Sequence, residues 1–100
     1  MSYKDIIKLE GFDWDDGNRN KNFLKHNVSE GESEEIFFNA PLLIAEDLKH
    51  SYTEHRFVAF GVTNAGRYLT VIFTRRQKNL IRVISARDMN CKEREYYNSL

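Results

Sequence analysis

Cysteine and proline are nearly absent from this chain of 100 residues, which contains one of each, Cys91 and Pro41. A single cysteine excludes an internal disulfide and a metal site built mainly on cysteine. The sequence also lacks internal repeats and Pro/Gly-rich stretches that would indicate a linker between domains. Because the length is typical of one domain with one core, we predict a single domain.

Long apolar runs are missing as well. No stretch of about 18 apolar residues indicates a membrane helix. Acidic residues and lysines lie among the first ten positions, where a signal peptide would have its apolar segment. We therefore predict a cytoplasmic protein.

An overall excess of charge is absent too, since 15 Lys and Arg balance 15 Asp and Glu. The charges are nevertheless partitioned: residues 1–55 contain six basic and twelve acidic side chains, and residues 56–100 contain nine and three. The basic half includes seven of the eight arginines. This asymmetry favours a nucleic acid or another acidic partner, although attraction between the two halves within the fold is an alternative explanation.

Helix signals dominate the first 40 residues. Asp15 or Asp16 is a suitable N-cap for a helix that ends at about His26. Ser29 followed by Glu32 is the pattern of a capping box, which predicts a second helix. Its predicted buried end consists of Ile36, Phe37 and Phe38.

Beyond Pro41 the apolar pattern changes to a period of two, which predicts strands at 42–46, 56–62, 67–74 and 80–86. Gly66 predicts a tight antiparallel hairpin between the second and third of them. Asn90 and Glu93 form another capping-box pattern and predict a C-terminal helix with Tyr96, Tyr97 and Leu100 facing inward. The predicted fold is α+β: two N-terminal helices, an antiparallel β-meander of about four strands and a C-terminal helix, with the helices on one face of the sheet.

The last predicted strand carries arginine at positions 82 and 87, and arginine is a costly residue inside a strand unless it meets an anion. Strict alternation would direct Arg82 and Arg87 to opposite faces of the sheet. Only a β-bulge or the end of the strand would direct Arg87 to the same cleft. We expect Arg87, at the strand terminus, to be the more accessible.

Two segments supply groups that could transfer protons. Histidine is the side chain whose reference pKa lies closest to neutral pH, and His26 follows Lys25. Glu54 lies two residues before Arg56 in an extended segment. Each pair also has a purely structural explanation. Lys25 and His26 would complement the dipole at a helix C-terminus, and Glu54 with Arg56 would form a surface ion pair.

Taken together, these segments resemble the BrnT toxins, the ribonuclease halves of bacterial toxin–antitoxin pairs, which have a compact RelE-like fold. The resemblance runs from Phe12 to Tyr97 and leaves residues 1–11 as an N-terminal extension of a domain at 12–100. Two positions depart from the family pattern: Asn18 replaces the usual lysine and Asn27 the usual glycine. The matching stretches are Trp14-Asp15, Asn22 to Val28, Pro41, Glu54 to Phe57, Gly66-Arg67, Thr74 with Arg76, Arg82 to Arg87, and Glu93-Arg94 with Tyr97.

The resemblance implies an endoribonuclease that cleaves RNA without a metal or cofactor and inhibits translation and growth. The candidate catalytic residues are His26, Glu54, Arg76 and Arg87, and the candidate RNA-binding residues are Lys25, Arg56, Arg82 and Ser85. Arg76 and Arg87 are the expected phosphate clamps, and the choice between His26 and Glu54 as the base stays open.

The resemblance further implies a partner: a BrnA-like antitoxin with a ribbon-helix-helix half. We expect a heterotetramer of toxin and antitoxin in equal numbers that reaches operator DNA only through the antitoxin. The alternative is a catalytically inactive module that binds only its antitoxin or RNA. The loss of lysine at Asn18 is the sequence feature that favours this alternative.

Overall fold

The structure is a computed structural model that describes residues 10–14, 25–47 and 55–100. The predictions made for residues 1–9, 15–24 and 48–54, including those for Asn18 and Glu54, lie outside the described residues. The described elements are strands β1 (Gly11–Phe12), β2 (Leu43–Glu46), β3 (Phe57–Val62), β4 (Tyr68–Arg76) and β5 (Leu80–Asp88), helices α1 (Glu30–Glu35) and α2 (Cys91–Asn98), and 3-10 turns at Ile36–Phe38 and Gln77–Asn79.

The strands form one sheet in the order β1-β5-β4-β3-β2. The pairs from β2 to β5 are antiparallel, as the predicted meander requires, and their boundaries lie within two residues of the prediction. Strand β1 is an addition: Gly11 and Phe12 pair with Leu80 and Ile81 in parallel. Two residues are too few to show a period of two, which is why the sequence did not reveal this strand.

The α+β class is confirmed, but the predicted count and order of the N-terminal helices are wrong for the described residues. Strand β1 comes first, and one α-helix, α1, precedes β2. Of the helix predicted to end at about His26, only Lys25 and His26 are described, and both are helical. Asn27 follows them with φ of 57°, the left-handed conformation expected for a residue in the usual position of glycine.

Helix α1 begins with the predicted capping box. The Ser29 hydroxyl accepts a hydrogen bond from the Glu32 amide at 3.1 Å, and the Glu32 carboxylate accepts one from the Ser29 amide at 3.0 Å. These bonds satisfy two backbone amides that no helical carbonyl can reach. They fix where the segment that follows the helix meets the sheet.

That segment packs on one face of the sheet, which we call the core face. Ile36 and Phe37 are buried there, and Phe37 meets the ring of Phe73 edge-on with centroids 5.3 Å apart. Phe57 stacks on Phe73 at 5.5 Å. The core cluster also contains Val28, Ala59, Leu69, Val71, Ile81, Val83 and Ala86.

Helix α2 lies on the opposite face, so the prediction that all helices share one face is wrong. Its Tyr97 ring is 5.7 Å from that of Tyr68, and its Tyr96 ring is 6.4 Å from that of Phe60. Tyr68 and Phe60 alternate with the residues of the core face along their strands. Because both faces carry apolar side chains, the sheet needs cover on both sides.

The burial predicted for three aromatic or aliphatic side chains is also wrong. Tyr97 is 4% exposed, as expected, but Phe38 is 72%, Tyr96 58% and Leu100 66% exposed. Helix α2 is only eight residues long and turns one stripe, with Tyr97, toward the sheet, which leaves Tyr96 at the surface. Leu100 lies beyond the end of α2, and Phe38 is the last residue of the 3-10 turn after α1.

Arg67, at the start of β4 after the hairpin glycine Gly66, joins the end of the sheet to α1. Its guanidinium donates to both Asp88 carboxylate oxygens at 2.6 and 2.9 Å and to Glu32 at 3.1 Å. It also donates to the backbone carbonyls of Asn27 at 2.7 Å and His26 at 3.3 Å. One side chain thus fixes the position of the helical turn that carries Lys25 and His26.

Gly61 provides a test of how closely the turn after α1 approaches the sheet. A Cβ at this position would lie 2.8 Å from the Ile36 Cβ and 3.2 Å from the Ile36 carbonyl oxygen, and neither atom can rotate away. We expect Gly61→Ala to lower the free energy of unfolding by about 1–3 kcal/mol, as overpacking does. Urea denaturation of the purified variant would measure this change.

Gly31→Ala is the matched control, because a Cβ there would meet only the Ser29 hydroxyl oxygen at 4.0 Å. Since Gly31 is an exposed helix residue, its replacement should raise stability by up to about 1 kcal/mol. Equal effects of the two substitutions would contradict the close approach of Ile36 to β3.

The Arg67 cluster predicts a pH-dependent contribution to stability. The hydrogen bond from Arg67 lowers the pKa of Asp88 in the folded protein, and the backbone amide of Ser29, followed by Arg67, lowers that of Glu32. A carboxylate with a lowered folded pKa stabilises the fold above its unfolded pKa of about 4 and loses that contribution as the pH falls through the folded value. Arg67→Met should therefore reduce stability more at pH 7 than at a pH of about 3.

Urea denaturation of both proteins at the two pH values gives the comparison, with Arg75→Met as an exposed control expected to change little. A penalty for Arg67→Met that does not shrink on acidification would mean that the two carboxylates do not hold the guanidinium.

Candidate functional site

A β-bulge in β5 decides where the candidate arginines point. Ser85 pairs with Ile72 and Val83 pairs with Phe73, which leaves Ile84 as an extra residue between them. The alternation therefore shifts by one position, and Val83 and Ala86 both lie in the core. Arg82 and Arg87 consequently share a face, so strict alternation, which would put them on opposite sides, does not hold.

We call this side of the sheet the arginine face; it is the one that α2 partly covers. It contains Arg82, Ser85 and Arg87 of β5, opposite Thr74, Ile72 and Thr70 of β4, together with Arg76. Five residues of strand separate Arg82 from Arg87, a distance of about 15 Å. The two guanidinium groups therefore cannot bind the same phosphate, and the face has two separate basic positions.

At the first position, Arg87 forms a two-pronged ion pair with Glu93 of α2. Its Nη1 and Nη2 atoms donate to the two Glu93 carboxylate oxygens at 2.7 and 2.9 Å, and Nη1 also donates to the Asp88 carbonyl at 3.2 Å. The Thr70 hydroxyl donates to the same carboxylate at 3.0 Å. The ion pair raises the pKa of Arg87 and lowers that of Glu93, so both groups are charged at neutral pH.

Glu93 also belongs to the capping box of α2. Its carboxylate accepts the Asn90 amide at 2.9 Å, and its own amide donates to the Asn90 side chain at 2.8 Å. A single carboxylate therefore caps the helix and orients the arginine. In the sequence, the capping-box pattern accounts fully for Glu93 as a helix cap. Its ion pair with Arg87 was therefore not predicted.

At the second position, Asp13 lies between two arginines. Its Oδ2 is 3.5 Å from Arg82 Nη1 and 4.0 Å from Arg76 Nε. The Asp13 amide donates to the Ile81 carbonyl at 2.8 Å, which fixes the segment after β1 against β5. Asp13 was not among the predicted site residues, because its place beside β5 depends on the unpredicted strand β1.

Thr74 is the cross-strand neighbour of Arg82. Among the described residues, its hydroxyl is the one buried side-chain oxygen or nitrogen without a hydrogen-bond partner. A buried hydroxyl without a partner is costly, so such atoms are unusual in stable interiors. Thr74 thus adds an unused donor beneath the second basic position.

The remaining candidates are placed as follows. Lys25 is exposed and His26 half-buried. The His26 backbone lies near Asp88, since Arg67 Nη2 donates to the His26 carbonyl at 3.3 Å and to the Asp88 carboxylate at 2.9 Å. The structure thus brings His26 to the end of β5 that carries Arg87, although Asp88 pairs with Leu69 of the core face.

Arg56 lies one residue before β3, and its carbonyl accepts the Asp47 amide at 2.8 Å. Because Phe57 pairs with Phe73, and Phe73 with Val83, Arg56 is at the end of the sheet that contains Arg82. Glu54, the alternative base, lies outside the described residues. The structure therefore groups His26 with Arg87, and groups Arg56 and Arg76 with Arg82.

In the described ranges 10–14, 25–47 and 55–100, no three His, Cys, Asp or Glu side chains form a cluster that could hold a metal ion. The independence from metals expected from the sequence stays a prediction. No helix within these same ranges combines the length and the apolar character needed to span a bilayer.

One of two comparisons with known proteins gives a match. No protein with a curated description matches the chain. The family model described as the ribonuclease toxin BrnT of type II toxin–antitoxin systems matches residues 14–93, which is most of the chain. The chain therefore belongs to the BrnT family, whose members are ribonuclease toxins of type II toxin–antitoxin systems and have an antitoxin protein as their partner.

Proposed function

We propose that this chain is a metal-independent endoribonuclease that cleaves RNA, inhibits translation and growth, and is silenced by its antitoxin. The observation that carries the proposal is the fixed orientation of Arg87 by Glu93 at the end of the sheet where the His26 backbone also lies. Family membership supports the reaction class, and the geometry supports the residues.

Cleavage of RNA without a metal requires three kinds of group. A base removes the proton of the 2′-hydroxyl, cations stabilise the charge that develops on the phosphate, and an acid protonates the departing 5′-oxygen. In this proposal Arg87 is the cation at the scissile phosphate. His26 or Glu54 acts on the protons.

Arg87 can bind a phosphate without breaking its ion pair with Glu93. A guanidinium has five N–H groups in a planar fork. Glu93 and the Asp88 carbonyl accept hydrogen bonds from both N–H groups of Nη1 and from one N–H group of Nη2. Within the described part of the chain, no acceptor contacts the edge formed by Nε and Nη2. That edge matches the spacing of two phosphate oxygens.

Glu93 is a positioning residue in this arrangement and not the base. Its carboxylate accepts four hydrogen bonds, from Arg87 twice, from Thr70 and from the Asn90 amide, and these bonds lower its pKa. An oxygen that is engaged in this way is a poor proton acceptor. The proton therefore has to pass to a group outside the cluster, which favours His26 or Glu54.

The second basic position would bind the RNA strand away from the scissile phosphate. Arg76, expected from the resemblance as a second phosphate clamp, lies there with Arg82 beside Asp13, so we assign it to this contact instead. Arg56 is at the same end of the sheet. We assign Ser85, between the two positions, to a contact with the RNA backbone. Lys25, exposed next to His26, would add a phosphate contact at the first position.

The antitoxin completes the proposal. We propose a BrnA-like protein with a ribbon-helix-helix half, which forms a heterotetramer with the toxin in the cytoplasm and covers the arginine face. The exposed ring of Tyr96, on the helix that lies on this face, supplies apolar surface of the kind that interfaces use. Operator DNA would be bound by the antitoxin alone.

Growth of a bacterial host after induction of this chain is the first test. We expect arrest with breakdown of total RNA on a gel, and we expect Arg87→Ala and His26→Ala to relieve both. Arg75→Ala is the matched control, since it removes an exposed arginine from the neighbouring strand, and it should leave the arrest intact. Normal growth with intact RNA and soluble wild-type protein would instead support the inactive module that only binds its antitoxin.

A purified-protein assay separates the charge of Arg87 from its geometry. Arg87→Lys keeps a cation but loses the planar fork, so we expect the cleavage rate of single-stranded RNA to fall by about 100- to 1,000-fold, as for loss of a transition-state donor. Antitoxin binding to the same variant, measured by co-purification, should persist. Cleavage at the wild-type rate by Arg87→Lys would show that Arg87 is not the phosphate clamp.

A further inference from the structure

A cavity of about 330 Å³ opens at the end of the sheet. Its volume lies at the lower limit for sites that bind small organic groups. No residue that lines it is among the predicted catalytic or RNA-binding residues. The lining residues are Gly66, Arg67, Tyr68, Asp88, Met89 and Arg94.

Two residues that line the cavity contact the groups that the proposed reaction needs. Arg67 donates a hydrogen bond to the backbone carbonyl of His26. The Asp88 carbonyl accepts a hydrogen bond from Arg87. A group bound in the cavity would therefore be one residue away from the proposed clamp and from the His26 backbone.

Arg94 differs from the other arginines around this end of the sheet. Arg67 and Arg87 are held by carboxylates, whereas no carboxylate within the described ranges pairs with Arg94. Its guanidinium lies over the Tyr68 ring, 4.6 Å from the centroid. Arg94 is exposed, and one face of its guanidinium lies against the ring, which leaves the other face for a flat ligand.

Gly66 lines the cavity without filling it. It has φ of +88°, which other residues rarely adopt, and a Cβ there would meet no atom within 4 Å. Asp88 also lines the cavity, and its side chain is 60% exposed, so its carboxylate can accept hydrogen bonds from amino groups. The residues that line the cavity therefore offer a flat cation, an aromatic ring and a hydrogen-bond acceptor.

We propose that this cavity binds one unstacked base of single-stranded RNA, next to the phosphate that Arg87 holds, with the base stacked on the Arg94 guanidinium. RNA-binding proteins commonly stack splayed bases on aromatic rings or arginine planes. The proposal rests on the proposed ribonuclease function for its substrate class. It assigns to Arg94 a binding role and no part in proton transfer.

The test uses a short single-stranded RNA of mixed sequence in which every 2′-hydroxyl is methylated, so that it binds but cannot be cleaved. Fluorescence anisotropy would measure its affinity for the wild-type protein, Arg94→Ala, Arg94→Lys and Lys92→Ala. Lys92 is an exposed cation on the same helix and is the matched control for charge. We expect both Arg94 variants to bind about 5- to 100-fold more weakly, the range for loss of one base stack, and Lys92→Ala to bind nearly as the wild type.

A scan of abasic nucleotides identifies the base. An abasic substitution at the position that occupies the cavity should weaken binding to the wild-type protein and have little further effect on Arg94→Ala. Wild-type affinity in Arg94→Lys would mean that only charge matters there, and unchanged affinity in both Arg94 variants would mean that the cavity takes no base. Weaker antitoxin binding with unchanged RNA binding would assign the surface to the antitoxin; each of these results overturns the proposal.

Failure of the ribonuclease proposal gives a different result. A protein that binds the methylated RNA through Arg94 but leaves unmodified RNA intact would retain the base site and lack the activity. A protein that binds no RNA at all would overturn both.

Discussion

The bulge at Ile84 is the constraint on which the rest of the arrangement depends. With strict alternation along β5, Val83 and Ala86 could not both face the core, and Arg82 and Arg87 could not both face away from it. One extra residue resolves both conflicts, because it reverses the alternation halfway along the strand. The core and the arginine face are therefore set by the same irregularity. Without the extra residue, one of the two guanidinium groups would face the core.

Charge pairing within the fold explains how a chain with no net charge presents arginines in fixed orientations. Asp13 and Glu32, from the acidic half, pair with Arg82 and Arg67 from the basic half. The attraction between the halves considered in the sequence analysis is thus real. Arg67 and Arg87 also have carboxylate partners inside the basic half, Asp88 and Glu93. These carboxylates restrain the two arginine side chains. In Arg87 the edge formed by Nε and Nη2 has no partner among the described residues, and this is the edge that we assign to phosphate.

The sequence predicted the features that depend on neighbouring residues and missed those that depend on distant ones. Capping boxes at Ser29 and Asn90 and the positive φ of Gly66 follow from a few adjacent residues, and each was found where it was predicted. Strand β1, the bulge and the position of α2 on the second face depend on pairing partners far along the chain, which periodicity does not reveal. The same reason explains why Asp13 and Glu93 were missed beside the arginines. Of the two groups proposed to transfer protons, His26 lies within the described residues and Glu54 lies outside them.

The double role of Glu93 has a consequence for the protein while it is being synthesised. Arg87 precedes Glu93 in the sequence, and Glu93 reaches it only as the third residue of α2. A nascent chain that has exposed β5 but not yet formed α2 therefore has the guanidinium without its orientation. Capping of the helix and alignment of the arginine depend on the same carboxylate. If Arg87 is the clamp proposed here, a partly synthesised toxin is inert toward the RNA around it until this helix packs on the sheet.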